Sequence, residues 1–347
     1  MANKKPFVSV IILNYNGLRF LDRCLSSVLN TDYDNFEVIF VDNGSTDGSV
    51  EFVKEKFGDD PRLKIIQNKE NLGFSGGNNV GIRQSRGKYI VLLNNDTVVE
   101  SEWLTELVGV MEKRKDIGMA QPAILYMDTD RVQTLGNLLD GMLMLVKSIG
   151  QGYRFPKKKI RKAIRVTYPL GACLIVRRSL LRKIGLFDEK FLIYHDDTYW
   201  GVLSWLAGLK AVSILSATIY HKGRATLSKF KKGRLIYFNT KSRVALILEI
   251  WRKKDLFMRL SSFLFMWSAY IVLKSMSDRF PGYIKSMLYA YFWVLRNMKH
   301  ILTQRKVISQ RIGAMNYKLL NKALLPNPFV FKNINKLILE KIGVTRK

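Results

Sequence analysis

Carboxylate side chains follow apolar runs at three places in this sequence. Asp42 comes directly after residues 37–41, Asp96 follows residues 89–93 and two asparagines, and the pair Asp196–Asp197 comes shortly after residues 191–194. In open α/β sheets, ligands bind beyond the carboxyl ends of the parallel strands. Carboxylates at those ends can hold a divalent ion, accept hydrogen bonds from a ligand or act as a general base.

Each of these residues also has a structural alternative. Asp96 could cap a helix predicted over residues 103–114, and Asp196 and Asp197 could cap a helix over residues 199–207. His221 stands at the end of a predicted strand, and a lone histidine is more often structural than a ligand. Its position at a strand end nevertheless favours a functional role.

The elements that would position these side chains alternate along the chain. The apolar runs predict strands over residues 7–13, 37–41, 63–67, 89–93, 168–178 and 211–219. Helical spacing predicts helices over residues 19–29, 49–57, 78–85, 103–114, 179–184 and 199–207. Strands that alternate with helices indicate an α/β fold, a doubly wound, mostly parallel sheet with its strand ends at one edge.

Two further segments leave alternatives open. The glycine run from Gly73 to Gly81 could cradle an anionic ligand ahead of a helix, but it matches neither a dinucleotide nor a P-loop fingerprint, and a plain turn fits as well. Residues 117–168 lose regular periodicity and contain a basic run at 157–162. The default for that run is a solvated loop, and if it overhangs the site it could attract an anionic acceptor.

The charge is concentrated in the C-terminal part of the chain. The 347 residues carry a formal charge of +29, and residues 222–347 hold 27 Lys and Arg against 4 Asp and Glu, a net charge of +23. Only Cys24 and Cys173 are present, which excludes a disulfide framework and favours a reducing compartment. The first residues enter a strand without an apolar signal region, so we expect the catalytic part to lie on the cytoplasmic side.

The sequence resembles family 2 glycosyltransferases of the GT-A fold, close to the rhamnosyltransferase-like group, over residues 6 to about 245. The resemblance lies in several motifs taken together in order and at the family's spacing. They are residues 8–16 (VSVIILNYN), 41–48 (VDNGSTDG), 71–79 (NLGFSGGNN), 92–97 (LLNNDT), 171–172 (GA), 185–189 (GLFDE) and 220–221 (YH).

The resemblance implies a role for each matching position. Asp42 would read the nucleotide base, and its ability to accept an imide hydrogen makes UDP- or dTDP-sugars the expected donors. Further nucleotide-site residues would be Asn14, Asn16, Asn71, Gly73, Asn78 and Asn95. Asp96 and His221 would bind Mg²⁺ or Mn²⁺, and the imidazole favours Mn²⁺.

The same alignment places the catalytic groups and the substrate contacts. Asp197 falls at the catalytic base, which would take the proton of an acceptor hydroxyl, and Asp196 at the acid before it. Gly171, Ala172, Tyr199 and Trp200 would contact the acceptor or the sugar. Direct displacement would invert the anomeric centre. The acidic residue often found two positions after the base is Tyr199 here, and no Gln-x-x-Arg-Trp motif is present, which argues for the addition of one sugar at a time.

The basic tail predicts a membrane-associated region. We divide the chain into a catalytic domain, residues 1–240, with a nucleotide-binding half (1–115) and an acceptor half (116–240), and a basic helical region, 241–347. The apolar runs 260–273 and 283–302 each fall short of the about 20 uninterrupted apolar residues of a spanning helix. We therefore expect interfacial helices on an anionic membrane surface, peripheral or monotopic, with Trp251, Trp267 and Trp293 near the head groups and a lipid-linked or glycan acceptor nearby.

Five other interpretations remain. The tail could instead be a soluble helical subdomain packed on the sheet, or a re-entrant pair. A polyprenyl-phosphate glycosyl synthase would share the fold and the donor but would need no base for its acceptor. A non-enzymatic nucleic-acid binder is not expected, because the polar strand ends lie in the half of the chain that carries little charge. A catalytically inactive partner subunit is disfavoured by the presence of Asp42, Asp96, Asp197 and His221.

Overall fold

The computed structural model describes residues 5–142, 144–191, 196–223, 232–326 and 330–344. Residues 192–194, part of the apolar run before Asp196, lie outside this part of the chain. The twelve strands are β1 (Val8–Asn14), β2 (Phe36–Asp42), β3 (Leu63–Gln67), β4 (Tyr89–Asn94), β5 (Thr97–Val99), β6 (Ile117–Tyr126), β7 (Val132–Thr134), β8 (Asn137–Leu139), β9 (Val146–Ser148), β10 (Ala163–Arg165), β11 (Cys173–Arg177) and β12 (Lys210–His221).

Helices cover both faces of the sheet and form the C-terminal region. They are α1 (Leu18–Leu29), α2 (Ser49–Phe57), α3 (Gly73–Gln84), α4 (Trp103–Lys113), α5 (Arg178–Ile184), α6 (Asp196–Leu206), α7 (Lys232–Ile250), α8 (Lys253–Ser277), α9 (Gly282–Arg296), α10 (Met298–Ile312), α11 (Tyr317–Ala323) and α12 (Phe331–Ile342).

One mixed sheet forms the centre of the molecule, in the order β10-β12-β6-β11-β4-β1-β2-β3. The pairs β1–β2, β1–β4 and β2–β3 are parallel, and β11 runs antiparallel to β4 and β6. Neighbouring residues of β1 point to opposite faces, so Ile12 joins the core under α1 and α4 while Ile11 joins the core under α3. The predicted α/β class with a mostly parallel, mixed sheet is confirmed.

The glycine run is part of a helix, whereas the sequence predicts a helix only from Asn78. α3 begins at Gly73, and a Cβ at Gly77 or Gly81 would lie 2.4 Å from Leu13 or 2.5 Å from Ile11. These glycines therefore let α3 pack closely on β1. The close packing outweighs the poor helix propensity of glycine.

The C-terminal helices share a core with the sheet. Residue 240 lies inside α7, and the core on the α3 face continues through Val244, Phe263 and Ile301. The backbone of Leu325 also bonds to Leu139 at 2.9 Å. The contacts place no break at residue 240, and the division into two regions stays a prediction.

The structure changes two expectations about the tail: that no apolar segment is long enough to cross a membrane, and that Trp251 and Trp267 lie near the head groups. α8 has 25 residues and is the single helix of the described ranges that is long and apolar enough to cross a membrane by length and composition. Trp251 and Trp267 are buried, because Trp251 lies under the Arg259 guanidinium and Trp267 donates to Thr240 Oγ1 at 2.8 Å. They therefore do not face head groups, and other aromatic residues are exposed instead.

Candidate functional site

The carboxyl ends of β1 and β2 bring Asn14 and Asp42 side by side. The parallel register pairs these two residues, and Asn14 Nδ2 donates to Asp42 Oδ1 at 3.0 Å. The other carboxylate oxygen accepts from the backbone N–H of Ser45 at 2.9 Å. Asp42 is fully buried, so a base would reach it only through lone pairs that these two donors leave unused.

A network of asparagines extends this edge towards α3. Asn43 donates to Asn71 Oδ1 at 2.8 Å and to the Gly73 carbonyl at 3.1 Å, so it fastens the start of α3 to the end of β2. Asn71 is exposed, whereas Asn78 is buried and donates to the Phe74 carbonyl within α3. The structure therefore favours a helical role for Asn78 over a ligand contact. The sequence prediction missed Asn43, although it lies inside a quoted motif.

A shallow pocket opens beside this edge, at the loops after β1 and β2. It has a volume of about 390 Å³ and is lined by Asn16, Leu18, Arg19 and Asp47. The Asn16 side chain accepts from Thr46 N at 2.8 Å, which joins the two loops. Tyr15, next to the pocket in sequence, is 51% exposed, and the sequence prediction gave it no role. An exposed aromatic ring at this edge is suited to stacking on a planar base.

Asp96 and His221 form a buried pair at the next strand end. β5 pairs with the end of β12, and this pairing sets His221 Nε2 3.1 Å from Asp96 Oδ1. The helix-capping alternative for Asp96 is wrong, because no side chain caps α4. His221 Nδ1 lies 2.8 Å from Gln133 Oε1. When Nδ1 carries the proton, it donates to Gln133 and leaves the Nε2 lone pair facing Asp96.

This pair fits a divalent cation. Two ligands at right angles, each about 2.1 Å from an octahedral ion, are about 3 Å apart. The Asp96–His221 spacing matches that figure, and a histidine oriented through its second nitrogen is typical of metal sites. In the described ranges, no cluster of three or more His, Cys, Asp or Glu residues with metal-binding geometry occurs. The remaining coordination positions would therefore fall to a ligand or to water.

The two adjacent aspartates at the start of α6 point in different directions. Asp197 stays partly accessible, and it accepts from Gly171 N at 2.9 Å and from Thr198 N at 2.7 Å. Burial raises the pKa of Asp197, and these N–H donors only partly oppose the shift. Asp196 is buried and accepts from the Ser75 hydroxyl. Asp197 is thus the one positioned to meet a ligand.

A continuous series of contacts links the three carboxylate positions. Asn95, the neighbour of Asp96, donates to Asn14 at 2.6 Å, and Asn14 bonds to Asp42. On the other side, Asn94 N donates to the Ala172 carbonyl at 2.9 Å, and the adjoining Gly171 bonds to Asp197. The site therefore runs along one edge of the sheet, from β2 across β1 and β4 to α6.

Tyr199 and Trp200 do not line this edge. Both are buried, and Trp200 stacks on Phe187 with ring centroids 3.8 Å apart. The structure argues against contacts from these two residues to a sugar. Within the basic run, Lys159 pairs with Glu102, directly before α4, and with Glu106 on α4, at 2.7 Å each.

The comparisons with known proteins agree on a family. The sequence profile described as "Glycosyl transferase family 2" matches residues 9–185. An uncharacterized glycosyltransferase of Haemophilus influenzae is 26% identical over 258 residues, which is 68% of this chain and 75% of that protein. This chain spans 25% to 64% of the length of four further curated relatives that it matches.

Two solved structures share the fold. The mannosyltransferase PcManGT from Pyrobaculum calidifontis, in complex with GDP-Man and Mn²⁺, has a TM-score of 0.53 and 15% identity, over 89% of this chain and 86% of its own. S. aureus TarS 1-349, in complex with UDP-GlcNAc, has a TM-score of 0.53 and 18% identity, over 88% and 92% of the two chains. At this identity the likeness concerns the fold. Because the family profile covers just over half of the chain, the protein belongs to glycosyl transferase family 2, and it is a glycosyltransferase with the GT-A fold.

Proposed function

We propose that this protein transfers one sugar from a UDP- or dTDP-sugar to an acceptor hydroxyl, with inversion, and with Asp197 as the general base. The observation that carries the proposal is the accessible Asp197 on the same sheet edge as the Asp96–His221 pair. Two backbone N–H groups hold its carboxylate in place, and burial raises its pKa towards the range of a working base.

The divalent ion would be held by Asp96 and His221. When bound, it supplies positive charge to the diphosphate leaving group. Gln133 orients the imidazole, and Asn95 connects the metal side of the site to Asn14 on the nucleotide side. The imidazole ligand favours Mn²⁺ over Mg²⁺.

A panel of UDP-, dTDP- and GDP-sugars tests this proposal. Nucleotide release and thermal shifts are measured with Mn²⁺, with Mg²⁺ and with EDTA. We expect release from a uridine or thymidine nucleotide sugar that needs the metal and is lost in Asp96→Asn. The matched control is Asp59→Asn, which changes an exposed aspartate on the loop after α2 and should behave as the unmodified protein. Metal-independent release, or release only from GDP-sugars, contradicts the proposal.

We also propose that α8 and α9 dock on the cytoplasmic face of an anionic membrane, next to a lipid-linked acceptor. α8 packs inward along one stripe, Phe263, Trp267, Ile271 and Ser275, spaced by four residues. The remaining surfaces of α8 and α9 expose many large apolar side chains where the surface of a soluble helix is mostly polar. This apolar face consists of Phe257, Met258, Phe265, Tyr270, Val272, Leu273, Met276, Leu288, Tyr289, Phe292 and Leu295.

The basic residues of α9 and α10 support docking of the same face on an anionic membrane. Lys285, Arg296 and Lys299 are exposed on α9 and α10, beside the apolar face, where cations favour anionic lipids. Because one stripe of α8 is occupied by protein, a position within the head-group region fits α8 better than a full crossing. Phe265 and Phe292 are 77% and 63% exposed, so both are available to enter the lipid.

Vesicle flotation tests the docking surface. The full chain is mixed with phosphatidylglycerol vesicles at low salt, and the double variant Phe265→Glu/Phe292→Glu is compared with Leu337→Glu on α12, whose leucine is also exposed. Because burial of a phenylalanine contributes about 1.5 to 3 kcal/mol, the double variant should lose at least about 100-fold in binding. Equal binding by all three proteins, or a full chain that ignores anionic vesicles, contradicts docking through this face.

A further inference from the structure

A buried lysine lies where the C-terminal helices meet the catalytic aspartates. Lys241 of α7 is 2% exposed. Its Nζ is 4.5 Å from the ring centroid of Trp293 on α9, 5.2 Å from Phe238 and 5.3 Å from Phe191. The ammonium group is thus surrounded by aromatic faces from α7, α9 and the segment before α6.

The same lysine lies within the field of two carboxylates of that segment. Burial lowers the pKa of Lys241, and the nearby carboxylates of Asp196 and Asp188 oppose that shift. Asp196 is fixed by the Ser75 hydroxyl, which also bonds to the Phe191 carbonyl. Lys241 therefore adjoins a buried cluster that ends at the residue directly before Asp197.

Other tail residues hold the same segment. His300 Nε2 of α10 is 2.6 Å from Asp188 Oδ2, and the Trp293 ring meets Phe191 edge to face at 5.3 Å. Helices α7, α9 and α10 thus each contact Asp188 or Phe191. Phe191 is linked in turn to Asp196, in the first turn of α6, through the Ser75 hydroxyl.

The cation at position 241 is costly for the fold. Burial lowers the pKa of Lys241 to about 8, even though Asp196 and Asp188 oppose that shift. A methionine would fill the aromatic cage without a desolvated charge, and buried cations are often replaced by apolar residues at no cost in stability. Filling of the cage alone therefore gives no physical reason for a lysine here, whereas the ammonium group also interacts with the aromatic faces of Phe191, Phe238 and Trp293.

We propose that Lys241 is a positioning residue for sugar transfer: its ammonium group packs on the Phe191 ring, Ser75 joins the Phe191 backbone to Asp196, and these contacts keep Asp197 aimed at the acceptor. This inference rests on the proposed role of Asp197. It assigns to the C-terminal helices a part in catalysis in addition to membrane docking. Lys241 itself touches no substrate in this assignment.

The test compares Lys241→Met and Lys241→Arg with Arg259→Met in the full chain. Arg259 is a matched control, because its guanidinium also covers a tryptophan ring, that of Trp251 at 3.6 Å, but it bonds to the Gly141 carbonyl, away from residues 188–197. For each variant, kcat is measured by nucleotide release from the donor that the panel identifies, together with the donor Kd and the Tm. Asp197→Asn is run in parallel.

We expect Lys241→Met to lower kcat about 10- to 100-fold, since small misplacements of catalytic groups cost about this much. The donor Kd should stay within twofold and the Tm should not fall. Lys241→Arg should recover part of the lost kcat, and Arg259→Met should keep its kcat.

Three results overturn the inference: an unchanged kcat in Lys241→Met, a joint loss of kcat, donor affinity and Tm, or no recovery in a folded Lys241→Arg. If Asp197→Asn retains activity, the proposed function itself fails, whatever Lys241 does.

Discussion

Replacing Asp197 by Asn removes the proposed base with little change in shape. An asparagine can still accept one of the two hydrogen bonds that Asp197 receives from Gly171 and Thr198. The lost bond costs about 1 kcal/mol of stability, and it is offset because a buried charge is removed. The variant should therefore fold.

The expected effect on catalysis is large. General-base catalysis contributes about 10²- to 10⁴-fold in rate, which corresponds to about 3 to 5 kcal/mol of transition-state stabilisation. The nucleotide edge at Asn14 and Asp42 makes no contact with Asp197, so donor affinity should change less than about twofold. Transfer and donor binding should thus separate in this one variant.

The assay is sugar transfer and nucleotide release, with donor binding followed by thermal shift. In the unmodified protein, the rate should fall as the pH drops through the pKa of Asp197. Because burial raises that pKa, this loss should begin at a higher pH than for an exposed aspartate. Asp196→Asn serves as the comparison. Activity that survives in Asp197→Asn but disappears in Asp196→Asn would refute the assignment and move the base by one residue. Full activity in Asp197→Asn would instead favour a lipid-phosphate acceptor, which needs no base.

Three other variants test separate parts of the structure. Gln133→Leu should weaken Mn²⁺ binding about 10- to 100-fold in a thermal-shift titration, because the hydrogen-bond partner of His221 is lost. Gln151→Leu, which changes an exposed glutamine, is the control, and equal Mn²⁺ affinity in the two variants would exclude this role of Gln133. Tyr15→Ala should weaken UDP binding by about 1 to 3 kcal/mol by calorimetry, whereas Tyr15→Phe should not; equal affinities would rule out stacking. Burial raises the pKa of Glu112, but hydrogen bonds from neighbouring donors outweigh it and bring the pKa to about 2. Since the folded state thus lowers this pKa, Glu112→Gln should cost about 1 to 2 kcal/mol of unfolding free energy at pH 7. The difference between the two proteins should vanish as the pH falls from 4.5 towards 2. A difference that stays constant with pH in urea titrations would contradict the ion-pair explanation.

Local sequence determined the nucleotide half of the fold well. The predicted bounds of α2 and β3 agree with the structure residue for residue, and those of β1, β2 and α4 agree within one residue at each end. β1 and β2 are mostly apolar runs buried on both faces, and helices with clear 3.6-residue periodicity separate the strands. Where burial follows a simple period, the sequence alone is informative.

The sequence missed β6, the long strand between β11 and β12. It contains Gly118 and Pro122, which weaken a strand pattern, yet all but its last residue are buried between its two neighbours. Burial between strands that are distant in sequence stabilises this segment, and the local sequence pattern does not predict that burial.

The sequence by itself determined which chemical groups are present, and it placed Asp42, Asp96 and His221 at strand ends. Asp197 lies instead in the first turn of α6. Only the tertiary structure decided their partners. Gln133 reaches His221 through the pairing of β6 with β7 and β12. Lys241 on α7 reaches Phe191 through its contact with the aromatic ring. Both contacts join residues that are far apart in the chain, and such contacts depend on how whole elements pack, which no local periodicity encodes.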